Sequence, residues 1–403
     1  CRSNYMGSWS HMASIIYFHC VVWWRPFHAY HMEYIKRKIE ESRRENHMKI
    51  PALASKKKNI SVAVLAVCIV GTTSIGYAAW YQWWYYPTFN EQREPAHFFW
   101  IHGLFTSDAL PVLQSYPDSI DMISPAWYSL LDNGTMIANI EQENLQLLHD
   151  ILSACNSSNI TVHPLVSASS QGAIRALLEK QTNQQNFLDS MNDAFTNYGF
   201  DGLNIDLEGV AEDLRDEFTT WFGELKGNMP EGKILSIDVP AKTSDATTGW
   251  DGWCDYHALG DIADMFMIMT YDAHGGWTGP GEVAPTSWVR EVMAYAVRAV
   301  PLEKLFIGIP RYGYDWSTDP EWPNWGYGYG YFQDKVNTYG GTLTRTGDGK
   351  ELRYEYKDGE GFDHVCYYCD VETTRQKQAF LSQYPVGGYC YWHLTSGDER
   401  LFM

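Results

Sequence analysis

Residues 200–208 read Phe200-Asp201-Gly202-Leu203-Asn204-Ile205-Asp206-Leu207-Glu208, an apolar run with a polar group at every second position from 204 onward. Side chains of a strand alternate faces with a period of two. Asn204, Asp206 and Glu208 therefore share one face, while Leu203, Ile205 and Leu207 point into a packed layer on the other. Two carboxylates on a buried strand are costly unless a reaction uses them. A carboxyl held beside a second carboxylate has its pKa raised and keeps its proton near neutral pH, as a general acid must. A half-exposed antiparallel strand shows the same alternation with only a solvated polar face. Gly202 before the polar row, and the helix-like stretch Gln181 to Tyr198 before that, favour a βα unit instead.

Outward from this stretch, apolar runs recur at strand length. They are Ala96–Leu104, Asp121–Leu130, Thr161–Ser169, Gly202–Val210, Lys233–Ala241, Met265–Asp272, Lys304–Gly313 and Gly387–Thr395. Helical patterns fill several gaps: Glu141–Leu152, Gly172–Glu179, Asn186–Tyr198, Glu212–Leu225 and Trp288–Val300. Eight strands alternating with helices predict an α/β fold, a (β/α)8 TIM barrel, with a doubly wound sheet as the alternative. Residues 314–370 break the rhythm with Gly, Tyr, Trp and charge. Their alternating runs Gly341–Arg345, Glu351–Tyr356 and His364–Tyr368 read as a small α+β insertion between strands seven and eight, against a long irregular loop. In such barrels reactive residues sit at the C-terminal strand ends. Glu208 ends strand four, Tyr271 and Asp272 end strand six, and Trp392 lies near the end of strand eight, so all would converge on one mouth.

Charge divides the chain. Residues 1–58 carry 11 Lys and Arg against 4 Asp and Glu, whereas the remaining 345 residues carry 19 against 45. The acidic body should repel nucleic acid. Seventeen Trp and 27 Tyr suit a cleft where flat apolar rings stack on sugar faces, although scattered aromatics also fill cores. Residues 60–80 hold no charge, follow Lys56, Lys57 and Lys58, and precede the aromatic belt Trp80 to Tyr86. They read as a transmembrane anchor with the acidic body outside the cytoplasm, or as a signal leading to secretion after cleavage. The organisation expected is thus a basic, cytoplasmic or disordered segment at 1–59, the anchor at 60–80, a linker at 81–95 and a barrel at 96–403. Eight cysteines include the pair Cys366-Tyr367-Tyr368-Cys369, half of a zinc pattern without a second half, which reads as structural or free thiols.

Three separated motifs, in order, resemble those of the family 18 glycoside hydrolases over roughly residues 96–403. The strand-four signature D-G-x-D-x-D-x-E resembles Asp201-Gly202-Leu203-Asn204-Ile205-Asp206-Leu207-Glu208 except at Asn204. Met269-Thr270-Tyr271-Asp272 and the Trp392 of Gly388-Tyr389-Cys390-Tyr391-Trp392 match the strand-six and strand-eight motifs. Within the family the chain is similar to the spore-cortex-lytic N-acetylglucosaminidase branch, through Ser124-Pro125-Ala126-Trp127-Tyr128, Thr270-Tyr271-Asp272-Ala273-His274 and Tyr312-Gly313-Tyr314-Asp315-Trp316.

The resemblance implies retaining hydrolysis of β-linked N-acetylglucosamine polymers, of peptidoglycan or chitin type, with help from the substrate's own acetamido group. Glu208 would protonate the glycosidic oxygen. Asp206 would hold the acetamido N–H and raise the pKa of Glu208. Tyr271 would donate a hydrogen bond to the acetamido carbonyl. Asn204, Asp272, Trp392 and Trp127 would complete the substrate site, with Trp392 as its apolar floor and Asn204 hydrogen-bonded to Asp206. No metal or organic cofactor is implied. Each residue has a plainer reading: Tyr271 and Trp392 as core aromatics, Asp272 as a helix N-cap, Asp201 as support for the strand-four turn. A non-catalytic chitinase-like sugar-binding protein, or an anchored scaffold for a protein partner, are the alternative functions; the acid Glu208 favours the enzyme.

Overall fold

The computed structural model describes residues 94–140, 144–168 and 170–403. The strands, in chain order, are β1 (Ala96–Ile101), β2 (Met122–Pro125), β3 (Tyr128–Leu130), β4 (Met136–Ala138), β5 (Thr161–Val162), β6 (Leu165–Ala168), β7 (Gly202–Leu207) and β8 (Ile234–Pro240). They continue with β9 (Met265–Met269), β10 (Leu305–Pro310), β11 (Tyr312–Ser317), β12 (Gly326–Gly328), β13 (Thr342–Arg345), β14 (Leu352–Lys357), β15 (Asp363–Tyr368) and β16 (Gly388–Trp392). From β6 through β7, β8, β9, β10 and β16 to β1 and β2, neighbouring strands pair in parallel. β2 pairs with β5 and β3 with β6, so the circle closes. The expected second and third strands are each interrupted, and Pro125 and Pro164 stand at the breaks. Proline has no N–H to give a ladder, which stops each strand where it falls. Eight staves, helices outside: the (β/α)8 barrel is the fold.

The period of two sorts residues between two apolar layers. Along β1, Phe98 and Trp100 face the barrel interior with Met265, Met267, Phe306 and Cys390. Phe99 and Ile101 face the outer layer between strands and helices, where Leu203, Ile205 and Leu207 also lie. The alternation in residues 203–208 therefore turns Asn204 and Asp206 inward, as the sequence predicts. Gly202 opens β7 where a Cβ would stand 2.6 Å from the Ile234 carbonyl oxygen and 2.7 Å from His163 Nδ1.

The insertion begins with β11 at Tyr312, a single residue separating it from the end of β10, two residues before the expected start at 314. It is a five-stranded antiparallel sheet in the order β12-β11-β15-β14-β13 with one helix, Tyr329–Tyr339. Its internal lock is the fully buried Asp315, which accepts from Tyr331 Oη (2.8 Å), Tyr356 Oη (2.7 Å) and His364 Nδ1 (2.8 Å). Cys366 and Cys369 are buried free thiols, as are Cys155, Cys254 and Cys390. Among the described residues no group of side chains is arranged to hold a metal ion.

The expected single-pass membrane placement is corrected. Among the described residues no helix is long and apolar enough to cross a membrane. The longest, Gln181–Tyr198, has 18 residues but is rich in Gln, Asn and Asp. The segments expected at 1–59 and 60–80, and residues 81–93 of the linker expected at 81–95, lie outside the described residues.

Candidate active site

The C-terminal ends of the barrel strands open into a cleft of about 1650 Å³. That exceeds the few hundred to a thousand Å³ usual for a small-molecule site and suits several units of a polymer. Asp206, Glu208, Tyr271, Asp272 and Trp392 all line it. β7 delivers the first two, the segment after β9 the next two, and β16 the last.

Glu208, just past β7, is tied by its backbone N–H to the Ala168 carbonyl (2.9 Å) and its residue is open to the cleft. The cleft walls still strip water from the carboxyl. Its pKa is raised, first by that desolvation and then by the charge of Asp272. Asp206 lies deeper, and its pKa is raised well above the carboxylate range by burial and by Glu208. Its Oδ1 is buried without a hydrogen-bond partner. The arrangement is a carboxyl with a raised pKa at the mouth of the cleft, with a second carboxyl behind it.

Asp272 is not a helix N-cap. It adopts a left-handed backbone conformation, φ 64°, which Asp tolerates better than most residues. Its Oδ1 accepts from the Tyr314 hydroxyl (3.0 Å) and from the Tyr312 hydroxyl. The ring of Tyr271 meets those of Trp100 and Tyr312 edge-on. Gly308 makes room for it, since a Cβ there would come within 2.9 Å of Tyr271 Cε1. Trp392 tilts against Trp100, ring centroids 6.0 Å apart, and both indoles line the cleft. The Trp392–His393 peptide bond is cis.

Two expected substrate contacts are corrected. Trp127 is 1 % exposed and packs against Phe200 in the outer layer, because the break after Pro125 redirects the chain before β3. Asn204 is fully buried below the cleft. Its Nδ2 donates to Asp238 Oδ2 (2.8 Å) and Ser124 Oγ (3.2 Å), and its Oδ1 accepts from Ser236 Oγ (2.9 Å). The partner expected for it, Asp206, is not among these. Asp201 accepts from the Val162 N–H (3.0 Å), bracing β5 against the start of β7.

Sequence reasoning missed four features of the cleft: Asp238 on β8, Trp100 on β1, the Tyr312 and Tyr314 hydroxyls, and the exposed indoles of Trp250, Trp277 and Trp325. Only Asp238 left a usable signal. In Leu235-Ser236-Ile237-Asp238-Val239 the polar residues alternate with apolar ones as they do in β7.

Comparison with known proteins agrees with this picture. The chain is 26 % identical over 235 residues to the uncharacterized glycosylase YvbX of Bacillus subtilis, covering 56 % of this chain and 66 % of the relative. It is 27 % identical over 224 residues to the cortical fragment-lytic enzyme of Bacillus anthracis, covering 54 % and 52 %. The chain thus spans between half and two thirds of the length of these curated relatives. The crystal structure of the spore cortex-lytic enzyme SleL of Bacillus cereus superposes with a TM-score of 0.70 at 20 % identity, over 77 % of this chain and 73 % of that one, a likeness of fold. Residues 82–397 match the family model described as glycosyl hydrolases family 18. With the match spanning most of the chain and the barrel in place, this protein belongs to the family 18 glycosyl hydrolases.

Proposed function

We propose that the chain cleaves β-linked N-acetylglucosamine polymers of peptidoglycan or chitin type, with retention, through an oxazolinium intermediate closed by the substrate's own acetamido group. The observation that carries this reading is the pair on one strand face: Glu208 open to the cleft, with the half-buried Asp206 behind it and both pKa values raised. The names of the relatives, a cortical fragment-lytic enzyme among them, support an N-acetylglucosamine polymer as substrate.

In this mechanism Glu208 gives its proton to the glycosidic oxygen as the bond breaks. The acetamido oxygen attacks the anomeric carbon, closing a five-membered ring, and water later opens it with Glu208 as base. Asp206 accepts the acetamido N–H and its charge offsets the positive charge that grows on the ring. The Tyr271 hydroxyl orients the acetamido oxygen for attack. Asp272 binds the sugar from the side of Tyr312 and Tyr314, and Trp392 with Trp100 forms the apolar floor.

The test is incubation of the chain with chitooligosaccharides and with peptidoglycan, beside Glu208→Gln. Hydrolysis lost in the variant supports the reading, and the substrate cut faster names the polymer. Tight binding of either polymer by the unaltered chain without turnover would instead establish a sugar-binding protein.

A further inference from the structure

Asp238 is 4 % exposed, stands on β8 next to the catalytic strand, and is used by no step above. The β7–β8 register pairs Asn204 with Ser236 and Ile205 with Ile237. One residue further along, that register sets Asp206 beside Asp238. One oxygen of Asp238 is held from behind by two donors, Trp100 Nε1 (3.0 Å) and Asn204 Nδ2 (2.8 Å). Its other oxygen, Oδ1, is buried with no hydrogen-bond partner, and so is Oδ1 of Asp206. Two neighbouring carboxyls, each with a buried oxygen that no donor satisfies, are placed to share one proton between them. Two ionised carboxylates there would repel at close range in a site with little water.

We propose that Asp238 is the proton-exchanging partner of Asp206. This rests on the function proposed above. In the resting site the negative charge sits on Asp238, where the Trp100 and Asn204 N–H groups solvate it, and the proton sits on Asp206. As the glycosidic bond breaks, the O–H bond of Asp206 breaks and an O–H bond forms on Asp238. The negative charge thereby moves to Asp206, beside the ring that is becoming positive, and no proton is exchanged with solvent. When the ring opens, the proton returns. Asp238 acts through Asp206 and is a positioning residue.

Other groups facing Asp238 fit this role. Asp206 on β7 and Glu208 beyond its end both push the Asp238 pKa up, after burial itself, while the Asn204 and Trp100 hydrogen bonds pull it down. Tyr271 beyond β9 and Cys390 on β16 also lie within its electrostatic reach, and burial keeps both of them protonated and neutral. No Lys, Arg or His is among the groups that shift it.

The experiment compares the pH dependence of kcat/KM for the unaltered chain, Asp238→Asn and the exchange Asn204→Asp/Asp238→Asn, with melting temperature measured on each. In Asp238→Asn the amide oxygen still accepts from Trp100 and Asn204, so folding should persist. Asp206 must then lose its proton to solvent before the reaction. The acid limb should move up by about one pH unit, a tenfold loss below it. The exchange keeps the side-chain pairing with the acid on the other strand and should return the limb toward its original place; a purely structural Asp238 predicts no such rescue. An unshifted limb in Asp238→Asn, or an exchange variant that keeps the shifted limb, overturns the proposal. If Asp238→Asn does not fold, the exchange variant alone decides: a limb at the original pH supports the relay and a displaced one refutes it. If the unaltered chain hydrolyses nothing, the function fails first, and melting against pH decides the pairing. Carboxyls with raised pKa lose stability as pH rises through that pKa. Asp238→Asn should flatten that loss; an unchanged slope refutes the coupling.

Discussion

Glu351 is the joint between the insertion and the loop that carries Tyr271 and Asp272, and removing its charge should loosen both. The side chain is fully buried. Oε2 accepts from the Val283 N–H (2.7 Å), and Oε1 accepts from the Ala284 N–H (2.8 Å) and from Lys377 Nζ (3.2 Å). Val283 in turn accepts from the Ala273 N–H (2.9 Å), one residue past Asp272, and packs on Tyr312, Tyr314 and Trp316. Glu351→Gln keeps the shape but leaves one backbone N–H facing an amide NH2 and leaves the Lys377 ammonium without its anion. An unsatisfied buried N–H costs about 1–3 kcal/mol, and breaking a buried ion pair about 3–5 kcal/mol. These overlap, and Lys377 keeps the Ala284 carbonyl (2.6 Å), so the expected net cost is about 3–5 kcal/mol. At roughly 2 °C per kcal/mol for a domain this size, the melting temperature should fall by roughly 6–10 °C. Differential scanning calorimetry on Glu351→Gln, Lys377→Met and the double variant gives the coupling. The double variant should melt above Glu351→Gln, because no charge is then stranded. If Glu351→Gln melts within about 1 °C of the parent, or the two changes simply add, the joint does not hold the loop as described.

Asp206→Asn should abolish hydrolysis yet stabilise the fold. A buried carboxyl with a raised pKa contributes most when protonated, at low pH, and its contribution is lost as pH rises through the raised value; the gain in melting temperature should therefore be absent in acid and grow toward alkaline pH. Asp272→Asn removes the charge that adds to the raised pKa of Glu208. The alkaline limb of kcat/KM should move to lower pH, and an unmoved limb would separate the two carboxyls. Trp277→Ala and Trp325→Ala remove indoles that are 71 % and 70 % exposed. Each should cost on the order of 1 kcal/mol of binding for a sugar covering about 40 Å² of ring, about a fivefold rise in KM for long oligosaccharides, with melting unchanged.

Much of the site was legible along the chain because strand geometry is local. A period of two needs no partner, so the alternation in residues 203–208 placed Asn204, Asp206 and Glu208 on one face before any neighbouring strand was known. Tyr271, Asp272 and Trp392 were found by their place at strand ends, since the barrel sends all such ends to one rim. Trp127, expected at the substrate site from the resemblance, packs in the outer layer instead, because the strand stops after Pro125 and the chain is redirected before β3. Asn204 failed for a non-local reason, because its partners Ser124, Ser236 and Asp238 come from other strands.

The linear order of residues sufficed for the eight-stave barrel, its insertion and the placing of Asp206 and Glu208 on one face, because hydrophobic periodicity and turn residues act within a dozen positions. Folding alone decided that Asp238 stands beside Asp206, that Asp272 is gripped by two tyrosines about 40 residues away, and that three indoles line an open cleft. Those arrangements depend on strand register and loop packing, which join residues far apart in the chain. Their side chains carry no local pattern that announces the contact.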